Sequence, residues 1–178
     1  YFLDNLSTDT KFLFSGYPRN SVFFYNEFRN EILQKFNPEN KKMWAYLPTY
    51  RGVSRIGGTV KNDTALYYHL FMLDEKLSDD EILFVNLHPI ARKKIDFRNF
   101  THIKQFPKEY ETYEFLSCCD ALVTDYSSVM FDFAVTKKKI VLFTYDKMDY
   151  SVERGMYLDM DSFPFPQVND SASLIEEL

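Results

Sequence analysis

Apolar residues follow two rhythms along this chain: short unbroken runs, and stretches in which they recur every three or four positions. Met43 to Leu47, Glu81 to Leu87, Ala121 to Thr124 and Ile140 to Thr144 are of the first kind and predict buried strands. Shorter strands are predicted at Lys11 to Ser15 and Thr101 to Lys104. Pro48 ends the first of the long runs and His88-Pro89 the second. Val22, Tyr25, Phe28, Ile32 and Phe36 have helical spacing and predict one helix, capped near Asn20 or Ser21 and closed before Pro38. Further helices are expected over Ala65 to Lys76, Tyr110 to Cys118, Ser127 to Val135 and from Ser171 onward. A long loop, Thr49 to Asp63, carries Gly52, Gly57 and Gly58, and Lys137-Lys138-Lys139 reads as a solvated turn.

Alternating strands and helices, with strands apolar throughout, predict an α/β class: a doubly wound, Rossmann-like parallel sheet covered on both faces. In such sheets ligands bind beyond the carboxyl ends of the strands, which selects Pro48 to Arg51, His88-Pro89 and Thr124 to Ser128.

Composition narrows the chemistry. The 178 residues carry 21 Lys and Arg against 26 Asp and Glu, a net charge of -5, so no whole-molecule field draws in nucleic acid or an anionic membrane. The 18% of aromatic residues are dispersed and do not cluster with Lys and Arg, which argues for core packing against base-stacking platforms. Cys118 and Cys119 are adjacent in an apolar stretch and read as reduced, buried thiols of a cytoplasmic protein. No run reaches the length of a membrane-spanning helix and no leader pattern opens the chain. Starting at Tyr1 and stopping within an amphipathic stretch at Leu178, the sequence reads as a single domain excised from something longer.

In Thr124-Asp125-Tyr126-Ser127-Ser128 a strand runs into hydroxyl residues and then a helix. Ser127 and Ser128 at a helix start suit a phosphate or diphosphate, and equally suit simple capping. His88, restrained by Pro89, is placed to donate to a phosphoryl oxygen or to serve structure. Arg51 and Arg154 can each reach toward the same cleft and grip phosphate. The alternatives are an ordinary surface arginine for Arg51 and, for Arg154, an ion pair with Glu153 or Asp146. His69 and His102 read as structural. No His/Cys/Asp/Glu grouping has metal-site spacing, no cofactor is implied, and a P-loop motif is absent.

Taken in order, Gly16-Tyr17-Pro18-Arg19-Asn20, Pro48-Thr49-Tyr50-Arg51, Leu87-His88-Pro89, Thr124 to Ser128 with Met130 to Ala134, and Tyr145-Asp146 leading to Glu153-Arg154-Gly155 resemble the CDP-glycerol glycerophosphotransferases, the teichoic acid primases and polymerases. Ser21 and Asn86-Leu87 depart from that pattern. The resemblance implies the C-terminal, donor-binding half of a GT-B-like enzyme. Ser127 and Ser128 would lie on the diphosphate of CDP-glycerol or a similar CDP-linked donor, with Thr124 and Asp125 in the same turn and Arg154 near it. Thr49 and Arg51 would border the phosphoryl group, His88 would stabilise its charge, and Phe106 to Tyr113 would lie near the cytidine. A polymer or lipid-linked acceptor and the catalytic base would be held by an N-terminal domain outside this chain. The whole protein would lie on the inner face of a bacterial plasma membrane, in wall or capsule polymer synthesis. A nucleotide-sugar glycosyltransferase and a non-catalytic nucleotide-binding module are the competing readings.

Overall fold

A computed structural model describes residues 11, 15–51, 62–93, 95–155 and 159–178. The expected strand at Lys11 to Ser15 and the glycines of the long loop lie outside the described residues, wholly or in large part. The elements run α1 (Arg29–Phe36), β1 (Lys42–Leu47), α2 (Asn62–Asp74), β2 (Glu81–Val85), α3 (Pro89–Arg92), β3 (Ile103–Gln105), α4 (Thr112–Cys118), β4 (Ala121–Thr124), α5 (Val129–Phe133), β5 (Lys139–Phe143), α6 (Lys147–Arg154), β6 (Gln167–Val168) and α7 (Ser171–Glu177).

Among the described residues all strand pairings are parallel, in the order β3-β2-β1-β4-β5-β6. The chain therefore builds outward from β1 to β3, returns to the middle, and builds outward again from β4 to β6. Between β1 and β4, where Leu47 is in register with Thr124, the winding reverses and the connections leave in opposite directions. That is where a doubly wound sheet opens a ligand crevice.

Side-chain alternation along the strands creates two cores. Met43, Ala45 and Leu47 of β1 join Phe84, Leu122, Phe115 and Phe133 on one face. Trp44 and Tyr46 join Val85, Val123, Val141, Leu70 and Leu174 on the other. The first is roofed by α1, α4 and α5, the second by α2 and α7. Because both faces are covered, the central strands are apolar throughout.

The single helix expected from Asn20 to Phe36 is broken in two. A 3-10 turn spans Pro18–Phe23, and α1 starts only at Arg29. Asn26 is the cause. Its Oδ1 accepts from the Phe28 amide at 3.0 Å, and its Nδ2 donates to the Glu114 carbonyl and to Ser117 Oγ, each at 2.8 Å. A side chain bonded two residues ahead competes with the helical backbone. The helix expected over Ser127 to Val135 is also shorter, ending at Phe133 and passing into a 3-10 turn, Ala134–Thr136. Thr136 Oγ1 donates to the Phe133 carbonyl and accepts from the Lys138 amide, closing the turn. The outer elements α3, α6 and β6 had no recognisable pattern: β6 has two residues, and α6 buries none.

The lysine run is not uniformly solvated, contrary to expectation. Lys137 is exposed in the left-handed conformation (φ 58°), and Lys139 opens β5 with Nζ 3.3 Å from Glu177. Lys138 is half-buried and donates to the carbonyls of Ser117 and Cys119 at 3.1 and 2.6 Å, closing the C-terminal end of α4 beside Arg29, which donates to the same Ser117 carbonyl. Burial first, and the Arg29 charge next, lower its pKa, so the carbonyl bonds act against a desolvation cost. We expect Lys138→Met, which keeps the aliphatic stem, to lower unfolding free energy by about 1–2 kcal/mol in urea titrations. A change within 0.5 kcal/mol of zero, on the order of an ordinary surface substitution, would return Lys138 to the solvated turn.

Both cysteines are free and buried, with burial raising both thiol pKa values. His69 joins α2 to α7 through Ser171 Oγ, 3.0 Å from its Nδ1, and the His102 amide donates to Asp74 Oδ1 at 2.8 Å.

Candidate functional site

The carboxyl ends of β1, β4 and β5 are tied together by one buried knot of charge. Arg51, four residues beyond β1, directs Nε to Asp146 Oδ2 at 2.6 Å and Nη2 to Asp146 Oδ1 at 3.0 Å. Nη2 also lies 2.7 Å from Asp125 Oδ2, and Nη1 donates to the Thr49 carbonyl at 2.8 Å. The Arg51 side chain is only 14% exposed and Asp125 not at all, so one buried guanidinium faces two buried carboxylates. Burial alone would lower the Arg51 pKa, but Asp125 and then Asp146 outweigh it and the net shift is upward. Arg51 is fixed in its charged form.

Asp125 does more than balance charge. It accepts from the Thr49 amide at 2.9 Å, from Thr49 Oγ1 at 2.7 Å and from the Tyr126 amide at 2.6 Å. The β1 loop is thereby stitched to the β4 turn across the switch point. Thr124 is equally sequestered, its Oγ1 donating to the Leu47 carbonyl at 2.7 Å. The side chains of Thr124, Asp125 and Thr49 thus spend their polar atoms on the scaffold in this structure.

Two aromatic residues enclose the knot. Tyr126 and Tyr150 stack with ring centres 3.9 Å apart and planes 19° apart, and the Arg51 guanidinium carbon lies 5.1 and 5.2 Å from their centres. Tyr126 also donates its hydroxyl to Asp146 Oδ1 at 3.1 Å. Its pKa is raised, by burial first and then by Asp146, so the phenol remains a donor. Tyr46 of β1, in the core on the other face of the sheet, is fully buried with no hydrogen-bond partner for its hydroxyl among the described residues.

The remaining expected residues lie at the rim. Ser127 and Ser128 precede α5. Ser128 occupies the N-cap position without a side-chain cap bond, and Ser127 Oγ accepts only a long bond, 3.5 Å, from the Val129 amide. Ser127, expected as the cap, is displaced from it by one residue. His88, beyond β2, is exposed and stacks on Tyr50 with ring centres 4.0 Å apart. Arg154, at the end of α6, pairs with neither Glu153 nor Asp146. It donates instead to the Arg51 carbonyl at 2.6 Å, joining the rim to the knot. Nearby, an open groove of about 680 Å³ extends past the ends of β5 and β6, lined by Asp146, Asp149, Asp161, Gln167 and Asn169 among others.

Three contributors were not picked out from sequence as site residues: Asp146, Tyr126 and Tyr150. A usable signal did exist for Asp146, an acidic residue just beyond a buried strand of a sheet whose strand ends also carry Arg51, beyond β1. Among the described residues no group of three His, Cys, Asp or Glu could hold a metal ion, and no helix is long and apolar enough to cross a membrane.

Comparison with known proteins bears on this arrangement. Residues 5–178 match the family described as CDP-Glycerol:Poly(glycerophosphate) glycerophosphotransferase. The teichoic acid glycerol-phosphate transferase of Staphylococcus aureus is 34% identical over 94% of this chain and 44% of its own length. The teichoic acid ribitol-phosphate primase of Bacillus spizizenii is 31% identical over 92% of this chain and 43% of its own. Among solved structures, a variant of the wall teichoic acid polymerase TagF soaked with CDPG superposes with a TM-score of 0.72 at 28% identity, covering 91% of this chain and 38% of that one. The chain thus spans less than half the length of these relatives. With nearly its whole length matched to one family, and the motif residues meeting at the switch point of a parallel sheet, the chain belongs to the CDP-glycerol:poly(glycerophosphate) glycerophosphotransferase family.

Proposed function

We propose that this chain is the donor-binding domain of a polyol-phosphate transferase of teichoic acid synthesis, taking CDP-glycerol or a related CDP-linked polyol. One observation carries the reading: Thr49 and Arg51, Asp125 and Tyr126, and Asp146 with Arg154 come from separate motifs yet meet in one bonded network at the crevice beyond β1 and β4, with Ser127 and Ser128 next in the chain. The CDPG soaked into the TagF variant supports a CDP-linked donor, and the glycerol and ribitol relatives leave the alcohol open between those two.

In this reading the hydroxyls of Ser127 and Ser128 and the turn amides hold the diphosphate, and His88 and Arg154 meet the phosphoryl oxygens from the rim. An acceptor hydroxyl on a polymer or lipid-linked primer attacks the β-phosphorus. Its oxygen–phosphorus bond forms as the bond to CMP breaks, and the hydroxyl proton passes to a base on a domain outside this chain. Alone, the chain binds donor weakly and without turnover, because holding acceptor and base in line requires the domain outside it. The whole protein works on the inner face of the plasma membrane in wall or capsule polymer synthesis.

Calorimetric titration with CDP-glycerol, CMP and UDP-sugars tests this. We expect selective binding of the cytidine ligands, and Ser127→Ala to weaken CDP-glycerol binding about ten- to a hundredfold, the loss of a hydrogen bond to a charged group. Preference for a UDP-sugar would move the chain to nucleotide-sugar transfer. Indifference to every nucleotide would remove the donor site altogether.

A further inference from the structure

We propose that Asp146, assisted by the Tyr126 hydroxyl, is a positioning residue of the donor site: it keeps Arg51 as a structural clamp and leaves the anionic ligand to Arg154, His88 and the Ser127-Ser128 turn. The inference rests on the donor-site reading above and deepens it.

A two-pronged grip of phosphate by Arg51 requires a free pair of donors on one edge of the guanidinium, and four of its five N–H groups are engaged in this state. Nε and Nη2 lie on Asp146, Nη2 also on Asp125, and Nη1 on the Thr49 carbonyl. To present such a pair the guanidinium must give up one of these carboxylate contacts or the Thr49 carbonyl, and the carboxylates it holds are 5% exposed at Asp146 and wholly buried at Asp125.

What the knot does is fix shape. Asp146 stands at the start of α6, beyond β5, and by holding Arg51 it locks the Thr49 carbonyl of the β1 loop. The carbonyl of Arg51 in turn receives Arg154 at 2.6 Å. The path from Asp146 through Arg51 to Arg154 sets where an exposed cation stands over the crevice. Through Asp125 the same guanidinium bears on the amide of Tyr126, the residue immediately before Ser127. Loss of Asp146 therefore loosens both the rim cation and the serine turn, although neither touches it directly.

The two roles predict opposite signs, which makes Asp146→Asn decisive. If Arg51 were the phosphate grip, removing a competing carboxylate charge would release it and tighten binding. If Arg51 is a clamp, the same substitution weakens binding. The experiment is an NMR titration of the ¹⁵N-labelled chain with CDP-glycerol to millimolar concentration, on the unaltered chain and on Asp146→Asn, Asp146→Glu and Tyr126→Phe. We expect Asp146→Asn to weaken affinity about tenfold or more, Asp146→Glu to recover part of it, and Tyr126→Phe to weaken it a few-fold, on the scale of one lost hydrogen bond. In the unaltered chain the Arg51 Nε–H signal should remain slowly exchanging throughout, while Arg154 signals shift.

Asp146→Asn that binds as tightly as the unaltered chain, or more tightly, overturns the inference and leaves the donor site standing. So does an Arg51 Nε–H signal that is lost on saturation. Should Asp146→Asn fail to fold, Tyr126→Phe decides by the same signs. An unaltered chain that binds no CDP-glycerol overturns the donor-site reading itself, and the inference with it.

Discussion

Asp125→Ala lowers the unfolding free energy by about 3–5 kcal/mol, the range for removing one partner of a buried ion pair. The side chain is wholly buried and serves four groups: the Thr49 amide, Thr49 Oγ1, the Tyr126 amide and the Arg51 guanidinium. Truncation leaves two amides and a hydroxyl without an acceptor in a site with little room for water. Arg51 retains Asp146, which places the loss nearer the lower end of that range. Asp125→Asn keeps an acceptor but loses the charge and should lie between the two, at about 1–3 kcal/mol. Urea unfolding of both variants measures this. A loss below about 1 kcal/mol for alanine, the scale of an exposed pair, would mean that the knot is solvated in solution. Against a total stability of about 5–15 kcal/mol for a domain, the expected loss is large enough to leave part of the Asp125→Ala population unfolded at 37 °C.

The same residue shows where sequence reading succeeds and where it stops. Thr124 and Asp125 were legible as strand-end residues, because the apolar run before them is unbroken and Ser127-Ser128 follows. Which way their side chains turn was not legible. A strand end alternates sides like the strand itself, and here Thr124 bonds back to β1 while Asp125 is drawn under the loop that follows β1 by Thr49 and Arg51.

Arg51 and Asp146 are 95 positions apart and Thr49 and Asp125 are 76 apart, so no local pattern pairs them. Only the strand order brings them together. The central strands were readable because burial on both faces makes them apolar throughout. β6, at the sheet edge, has two half-buried residues and no such run. α6 turns Met148 and Val152 outward, so its apolar spacing marks no core face. Helix limits failed where a side chain overrode the periodicity, at Asn26 and at Thr136. Lys138 failed for a related reason: a run of like charges describes a solvated surface on average, and one member found the end of a helix.

Phe115→Ala is expected to cost about 3–5 kcal/mol, on a wholly different basis from Asp125. Phe115 is fully buried in α4 and meets three other rings edge-on: Phe106 at 4.6 Å, Phe84 at 4.9 Å and Phe36 at 5.5 Å between centres. Those rings belong to α1, to β2 and to the segment after β3, so one side chain joins four parts of the fold. Its removal opens a cavity whose walls are rigid aromatics with few rotamers to refill it, and the edge-to-face contacts are lost as well. Phe115→Leu keeps most of the volume and should cost markedly less than alanine. In urea the Phe115→Ala midpoint should fall with an unchanged slope, because the same surface is still exposed in one transition. A changed slope, or a loss below about 1 kcal/mol, would contradict a single cooperative core on this face. The high aromatic content of the chain, 18%, thus has a structural role here: α1, α4 and the sheet are held by rings packed on rings. Asp125 and Phe115 act on opposite sides of one design, in which aromatic packing holds the sheet and its roof together and a knot of charge at the strand ends fixes the crevice.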